Sequence, residues 1–96
     1  MDKKYIIEKL KIYKKKSQYN NVIKELGLFG SYTSGEKTKK SDIDIFVQLE
    51  PARMFDLIGI KNDLEKLFGK KVDIILLRKP MNKYLMNQIR QNGIYV

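Results

Sequence analysis

The sequence contains no cysteine and no histidine among its 96 residues. The absence of cysteine excludes a disulfide framework and thiol chemistry. The absence of histidine excludes a histidine general base, a serine-histidine-aspartate triad and the usual zinc sites. Any bound metal must therefore be held by oxygen atoms, which favours Mg²⁺ or Mn²⁺.

Long apolar runs are also missing. No stretch approaches the roughly 20 residues that cross a bilayer, and the N-terminal segment MDKKYIIEKL lacks a signal-peptide pattern. We therefore expect no membrane partner and a cytoplasmic location. A chain of this length suits one small domain, residues 1–96, with a modest core.

Acidic residues are few relative to basic ones: 11 against 20, for a net charge of +9. Such an excess can indicate nucleic-acid binding. The lysines are scattered along the chain, however, which is more typical of a solvated surface. The sequence has no recognisable nucleic-acid-binding motif, so we rank nucleic acid last among the partners.

Hydrophobic periodicity predicts the order helix, strand, turn, strand, helix, strand, helix. The predicted ranges are 2–16, 22–29, 30–41, 42–49, 50–68, 71–77 and 80–92, followed by a short extended tail at 94–96. This order is typical of an α/β (α+β) fold, with a small mixed β-sheet and helices packed mainly on one face.

Three packing predictions follow from the same patterns. Gly27 inside the first strand indicates that another backbone or a ligand approaches closely. The third strand, KVDIILL, is apolar enough to be buried on both faces. The helix over 50–68 carries an apolar stripe that we assign to the core: Met54, Leu57, Leu64, Leu67 and Phe68.

The stretch LFGSYTSGEKTKKSDIDIFVQL, residues 28–49, organises the chain. Period-2 geometry puts Asp42 and Asp44 on one face of a strand. Adjacent carboxylates repel, and a divalent cation such as Mg²⁺ relieves that repulsion. The Gly30-Ser31 turn, if it opens a helical turn, directs backbone N–H groups at an anion such as phosphate.

Each of these motifs also has a purely structural interpretation. An alternating D-x-D strand is often the solvated face of an antiparallel sheet, and Gly-Ser is an ordinary turn. Asp73 lies near the start of the apolar third strand, where a buried carboxylate needs a partner. From the residues alone we favour a salt bridge to a nearby lysine or to Arg78.

The combination of Gly30-Ser31, ten intervening residues and then Asp42-Ile43-Asp44 resembles the signature of the DNA polymerase beta-type nucleotidyltransferase superfamily. The short chain is similar to the minimal nucleotidyltransferases of that superfamily, which are antitoxin partners of HEPN-domain toxins. The resemblance covers residues 22–77. It implies the nucleotidyltransferase core and identifies Asp73 as the third carboxylate.

The resemblance also implies a reaction. Asp42, Asp44 and Asp73 would hold two Mg²⁺ ions, and Gly30 and Ser31 would bind the phosphates of ATP, a nucleoside triphosphate. AMP would pass to a tyrosine hydroxyl of a HEPN-domain toxin and silence it. Many relatives carry a basic residue after the Gly-Ser pair, where this chain has Tyr32, so Lys37, Lys39 and Lys40 would supply that charge.

Two alternatives stay open at this point. The chain would also serve as a non-catalytic antitoxin that masks its toxin by direct binding. Alternatively, it would nucleotidylate a small molecule of the aminoglycoside type, which requires a helical domain supplied by a homo- or hetero-oligomer.

Overall fold

The chain folds into a four-stranded sheet with helices on both faces. The structure, a computed structural model, describes residues 1–35, 38, 41–78 and 81–96. Its elements are α1 (Lys3–Lys16), β1 (Ile23–Phe29), α2 (Ser31–Ser34), β2 (Ile43–Leu49), α3 (Met54–Phe68), β3 (Val72–Leu76), α4 (Lys83–Asn92) and β4 (Ile94–Tyr95). The predicted order of elements is confirmed, and the extended tail forms β4.

The sheet has the strand order β3-β2-β1-β4. β1 pairs antiparallel with both β2 and β4, whereas β2 and β3 are parallel. A parallel pair requires a crossover connection, and α3 provides it between β2 and β3. The mixed α/β architecture predicted from the sequence is therefore confirmed.

The main core lies on the sheet face covered by α1 and α3. Alternate side chains of β2 point into it, as period-2 geometry requires. Its fully buried members include Ile6, Leu10, Ile43, Ile45, Val47, Ile60 and Leu64. The N-cap of α1 is Asp2, whose carboxylate accepts a hydrogen bond from the backbone N–H of Tyr5 at 2.9 Å.

A smaller core lies on the opposite face, under α4. Ile89 of α4 packs there on Phe29 and Phe46. A Cβ atom at Gly27 would overlap the ring of Phe46 and the carbonyl oxygen of Ile94. The predicted close approach at Gly27 is thus confirmed, because β4 and an aromatic ring both pack against it.

The start of α3 differs from the prediction. The helix begins at Met54, not at position 50, because the backbone N–H of Glu50 still donates to the carbonyl of Val22 and prolongs the strand pairing. Met54 and Leu67 are 61% and 39% exposed, although we assigned both to the core. Each lies roughly 70° around the helix from the centre of the buried stripe, which consists of Leu57, Ile60, Leu64 and Phe68.

The prediction that the third strand is buried on both faces is wrong. In the described part of the chain, β3 is an edge strand with only β2 beside it, and of its residues only Val72 is buried. The backbone N–H of Val72 donates to the carboxylate of Glu65 at 3.0 Å.

The helices of the described ranges are too short or too polar for any of them to span a membrane.

Candidate functional site

The chain turns sharply at Gly30, directly after β1. Gly30 has φ +79° and ψ −146°, a region that only glycine adopts readily. A Cβ atom at Gly30 would overlap Oδ2 of Asp44. The carbonyl of Gly30 accepts hydrogen bonds from the backbone N–H groups of Thr33 and Ser34, both at 3.0 Å. Ser31 therefore opens a helical turn, as predicted, and that turn begins against Asp44.

Asp44 and Asp73 are direct neighbours across the parallel pair. They are register partners in β2 and β3, and Phe29 is the partner of Asp44 on its other side, in β1. Asp42 immediately precedes β2. Asp42 and Asp44 are half-buried, whereas Asp73 is exposed. The structure therefore brings the three aspartates to one end of the sheet, next to Gly30.

The pKa of the Asp44 carboxylate reflects this arrangement of charges. Burial raises its pKa above the ordinary value, and the negative charges of Asp73 and then Asp42 raise the pKa further. The backbone N–H of Ser31 opposes the shift by hydrogen bonding to the charged form. The anion that this N–H meets in the structure is thus Asp44. A carboxylate whose pKa is raised by burial and by neighbouring charges often marks a functional site.

The structural interpretations of these aspartates do not fit well. Phe46, on the same face of β2 as Asp44, is fully buried, so this face is not simply solvated. Because Asp73 is exposed, it needs no buried partner. Arg78 lies at the other end of the strand, roughly 16 Å along a chain that rises about 3.3 Å per residue. A salt bridge between Asp73 and Arg78 is therefore wrong.

The site fits a hard cation in the kind of donor it offers. Carboxylate oxygens suit Mg²⁺, and a cation would relieve the repulsion that raises the pKa of Asp44. Among the described residues, no group of three or more Asp, Glu, His or Cys side chains forms a ready-made metal site. Mg²⁺ commonly takes one or two carboxylates and completes its shell with water and substrate phosphates, and this donor set matches that pattern.

Lys70 brings positive charge to α2, which the sequence did not indicate. Its ammonium group donates a hydrogen bond to the hydroxyl of Tyr32 at 2.9 Å and lies 5.6 Å from the centre of that ring. No spacing rule links a turn residue to a lysine that precedes the third strand. Lys37, Lys39 and Lys40, which we expected to supply this charge, lie outside the described residues.

The chain matches known nucleotidyltransferases along nearly its whole length. The family model described as "Nucleotidyltransferase domain" matches residues 6–96. The "Putative protein adenylyltransferase MJ0126" of Methanocaldococcus jannaschii is 36% identical over 92 residues, 95% of this chain and 94% of that protein. "Protein adenylyltransferase MntA" of Thermococcus cleftensis is 30% identical over 88 residues, 91% of this chain and 88% of that protein.

Solved structures share the fold. A toxin-antitoxin crystal structure with AMP-PNP contains a chain that aligns with a TM-score of 0.71 and 23% identity, over 94% of this chain and 70% of that one. A crystal structure of the toxin-antitoxin MntA-HepT aligns with a TM-score of 0.62 and 20% identity, over 94% and 67%. Together with the family match over residues 6–96, this confirms the resemblance seen in residues 22–77: the chain belongs to the nucleotidyltransferase domain family, and its activity is nucleotidyl transfer.

Proposed function

We propose that residues 1–96 act as one minimal nucleotidyltransferase domain, the antitoxin of a toxin–antitoxin pair. It transfers AMP from ATP to a tyrosine hydroxyl of its cognate HEPN-domain toxin. Relatives named protein adenylyltransferase support the activity. The single observation that carries the proposal is the adjacency of Asp44 and Asp73 beside the Gly30-Ser31 turn.

The transfer is an in-line displacement at the α-phosphorus. The tyrosine oxygen forms a bond to that phosphorus while the bond to the bridging oxygen of pyrophosphate breaks. In such reactions the protein mainly positions the reactants and neutralises the charge on the phosphates. Because Gly30 has no side chain, the carboxylate of Asp44 lies directly against the Gly30-Ser31 turn, and this places a carboxylate next to the turn where the phosphates would bind. Asp73 is exposed and accepts the proton of the incoming hydroxyl, directly or through water.

Asp42 and Asp44 would hold two Mg²⁺ ions, with Asp73 shared by one of them. When bound, such ions neutralise phosphate charge and lower the pKa of the attacking hydroxyl. The half-buried position of Asp44 keeps its carboxylate fixed between Gly30 and Asp73. Because ATP is an intracellular nucleotide, we place the protein in the cytoplasm.

The acceptor comes from a partner protein. Asp73 lies on the edge strand β3, so one side of the reaction centre is open in the described part of the chain. A protein partner that covers this edge can deliver a tyrosine hydroxyl to Asp73 without entering a closed cleft. The structures of related toxin–antitoxin pairs support a partner of this kind.

The test is incubation of the full chain with α-labelled ATP, Mg²⁺ and the purified product of the neighbouring gene. We expect label on a tyrosine of the partner, and none with the double variant Asp42→Asn/Asp44→Asn. Asp56→Asn is the control for the loss of a carboxylate elsewhere, because it removes a negative charge from the first turn of α3, at the other end of β2. An unlabelled partner, or equal labelling by the double variant, would count against the proposal.

A second readout separates catalysis from simple masking of the toxin. If AMP transfer neutralises the toxin, cells that express the toxin are rescued by the wild-type chain and not by the double variant. Rescue by the double variant would instead indicate a non-catalytic antitoxin.

A further inference from the structure

The position of α4 relative to the aspartates suggests how the nucleotide base is chosen. Ile89 is fully buried and packs on Phe29 and Phe46. Phe29 is the register partner of Asp44, and Phe46 follows Asp44 on the same face, about 7 Å along the strand. Helix α4 therefore crosses the sheet immediately beside the carboxylates.

The two flanks of α4 face opposite ends of the sheet. Met86 lines a cavity of about 360 Å³ together with Glu25 and Gln48, which lie at the end of β1 and β2 remote from Asp44. Gln88 follows Met86 by two residues, a rotation of about 200° around the helix, and so lies on the other flank. Helical geometry therefore directs Gln88 toward the end of the sheet that carries the aspartates.

Asn92 lies one turn after Gln88 and shares its flank. We call this pair, Gln88 and Asn92, the amide flank. Gln88 is half-buried and Asn92 is exposed, so both remain accessible to a ligand. Tyr84, one turn before Gln88, is 72% exposed and presents an aromatic ring at the rim of the same flank.

The chemistry of the amide flank matches a purine base. A carboxamide offers a donor and an acceptor side by side, which pairs with the N6 amino group and N7 of adenine. Arginine is the usual partner of the corresponding edge of guanine. The one arginine of α4, Arg90, follows Gln88 by two residues and therefore lies on the flank of Met86. An exposed tyrosine ring adds a stacking surface for a base.

We propose that the amide flank is the base-binding subsite, which selects adenine over guanine while the triphosphate lies at the Gly30-Ser31 turn. Tyr84 stacks on the base and adds affinity without selectivity. The inference rests on the proposed function, because it takes the phosphate position from it.

The experiment measures binding of Mg²⁺-ATP and Mg²⁺-GTP to the full chain by calorimetry, with inorganic tripolyphosphate as a base-free probe. We expect Gln88→Ala to lower the preference for ATP about tenfold, the effect of losing one bidentate base contact. Asn92→Ala has a smaller effect in the same direction. Gln88→Arg shifts the preference toward GTP, and all three variants bind tripolyphosphate like the wild type.

Asn87→Ala is the matched control, since it removes an exposed amide that points away from the sheet, and it keeps the wild-type preference. Tyr84→Ala weakens ATP and GTP equally, whereas Tyr84→Phe restores both because the ring alone stacks. Equal affinity of the wild type for ATP and GTP, or a preference unchanged by Gln88→Ala and Asn92→Ala, would overturn the base-binding subsite alone. Failure to bind any of the three probes would overturn the proposed function with it.

Discussion

Asp44 and Asp73 face each other as register partners on the parallel strands β2 and β3, although the whole of α3 separates them in the sequence. The mutual repulsion of these two carboxylates, with that of Asp42, adds to burial in raising the pKa of Asp44. The fold thus holds together charges that would separate in an unfolded chain. This relationship yields the first two predictions.

Replacing Asp73 should lower the pKa of Asp44. Among the neighbouring charges, Asp73 raises that pKa more than Asp42 does, so Asp73→Asn should lower it further than Asp42→Asn. Titration of the side-chain carboxyl signals by NMR measures both shifts. Asp63→Asn, which removes a carboxylate hydrogen-bonded to Tyr13 in α1, should leave the pKa of Asp44 unchanged. A larger shift from Asp42→Asn would contradict this order.

The metal-free protein should lose stability as pH rises because of Asp44. Its pKa is higher in the folded than in the unfolded state, so its stabilising contribution is fully present below the unfolded pKa and is lost as pH rises through the folded pKa. Asp44→Asn cannot ionise and should therefore raise Tm at neutral pH. Near pH 3, roughly one unit below the ordinary pKa of aspartate, the Tm difference should vanish.

Mg²⁺ provides the complementary measurement for the same variant. A cation that binds only the folded state stabilises it, so Mg²⁺ should raise Tm of the wild type and not of Asp44→Asn. A variant less stable than the wild type at neutral pH without metal would show that repulsion at Asp44 is negligible.

Gly30→Ala should be costly for two separate reasons. A φ of +79° with ψ of −146° disfavours any side chain, and the new Cβ would displace the carboxylate of Asp44. We expect a loss of about 3 kcal/mol in the free energy of unfolding and no AMP transfer. Denaturant unfolding and the labelling assay measure the two effects.

Gly35→Ala is the control for backbone strain without a clash. Gly35 also has a positive φ, +84°, but no atom lies within 4 Å of a Cβ built there. We expect a loss of about 1 kcal/mol with AMP transfer retained. Equal activity of the two variants would show that the space between Gly30 and Asp44 is unimportant.

The hydrogen bond between Lys70 and Tyr32 should couple the loop before β3 to α2. Tyr32→Phe, Lys70→Met and the double variant form a thermodynamic cycle, in which other contacts of either side chain cancel. A part-buried hydrogen bond of 2.9 Å should give a coupling free energy of about 1 kcal/mol. Additive effects of the two substitutions on unfolding would mean that the contact does not stabilise the fold.

Local patterns predicted most of the fold because each element carries its own signal. The spacing of Ile6 and Leu10 marked α1, and alternation from Ile43 to Leu49 marked β2 and its buried face. The strand order did not follow from these signals. The apolar composition of β3 suggested burial on both faces, but its place at the sheet edge depends on pairing partners remote in sequence.

The candidate site was predictable only as far as its motifs are local. Gly30-Ser31 and Asp42-Ile43-Asp44 stand out in the sequence, whereas Asp73 was assigned through resemblance to a family. Lys70 and Gln88 carried no signal at all, because each gains its place from packing: Lys70 from the hydroxyl of Tyr32 and Gln88 from the way α4 crosses the sheet. The sequence of a helix shows which of its faces is apolar, but it does not show which part of the fold each face is turned toward.

The edge position of β3 has a consequence for the size of the acceptor. If Asp73 lay on an interior strand of the sheet, only a molecule small enough to enter an enclosed gap could reach it. Asp73 lies on an outer strand, so an acceptor can approach it from the side. A tyrosine that is part of a folded protein can therefore reach it. The selectivity for one acceptor would then reside in the fit of two whole surfaces, and mutations far from the aspartates would change which protein is modified.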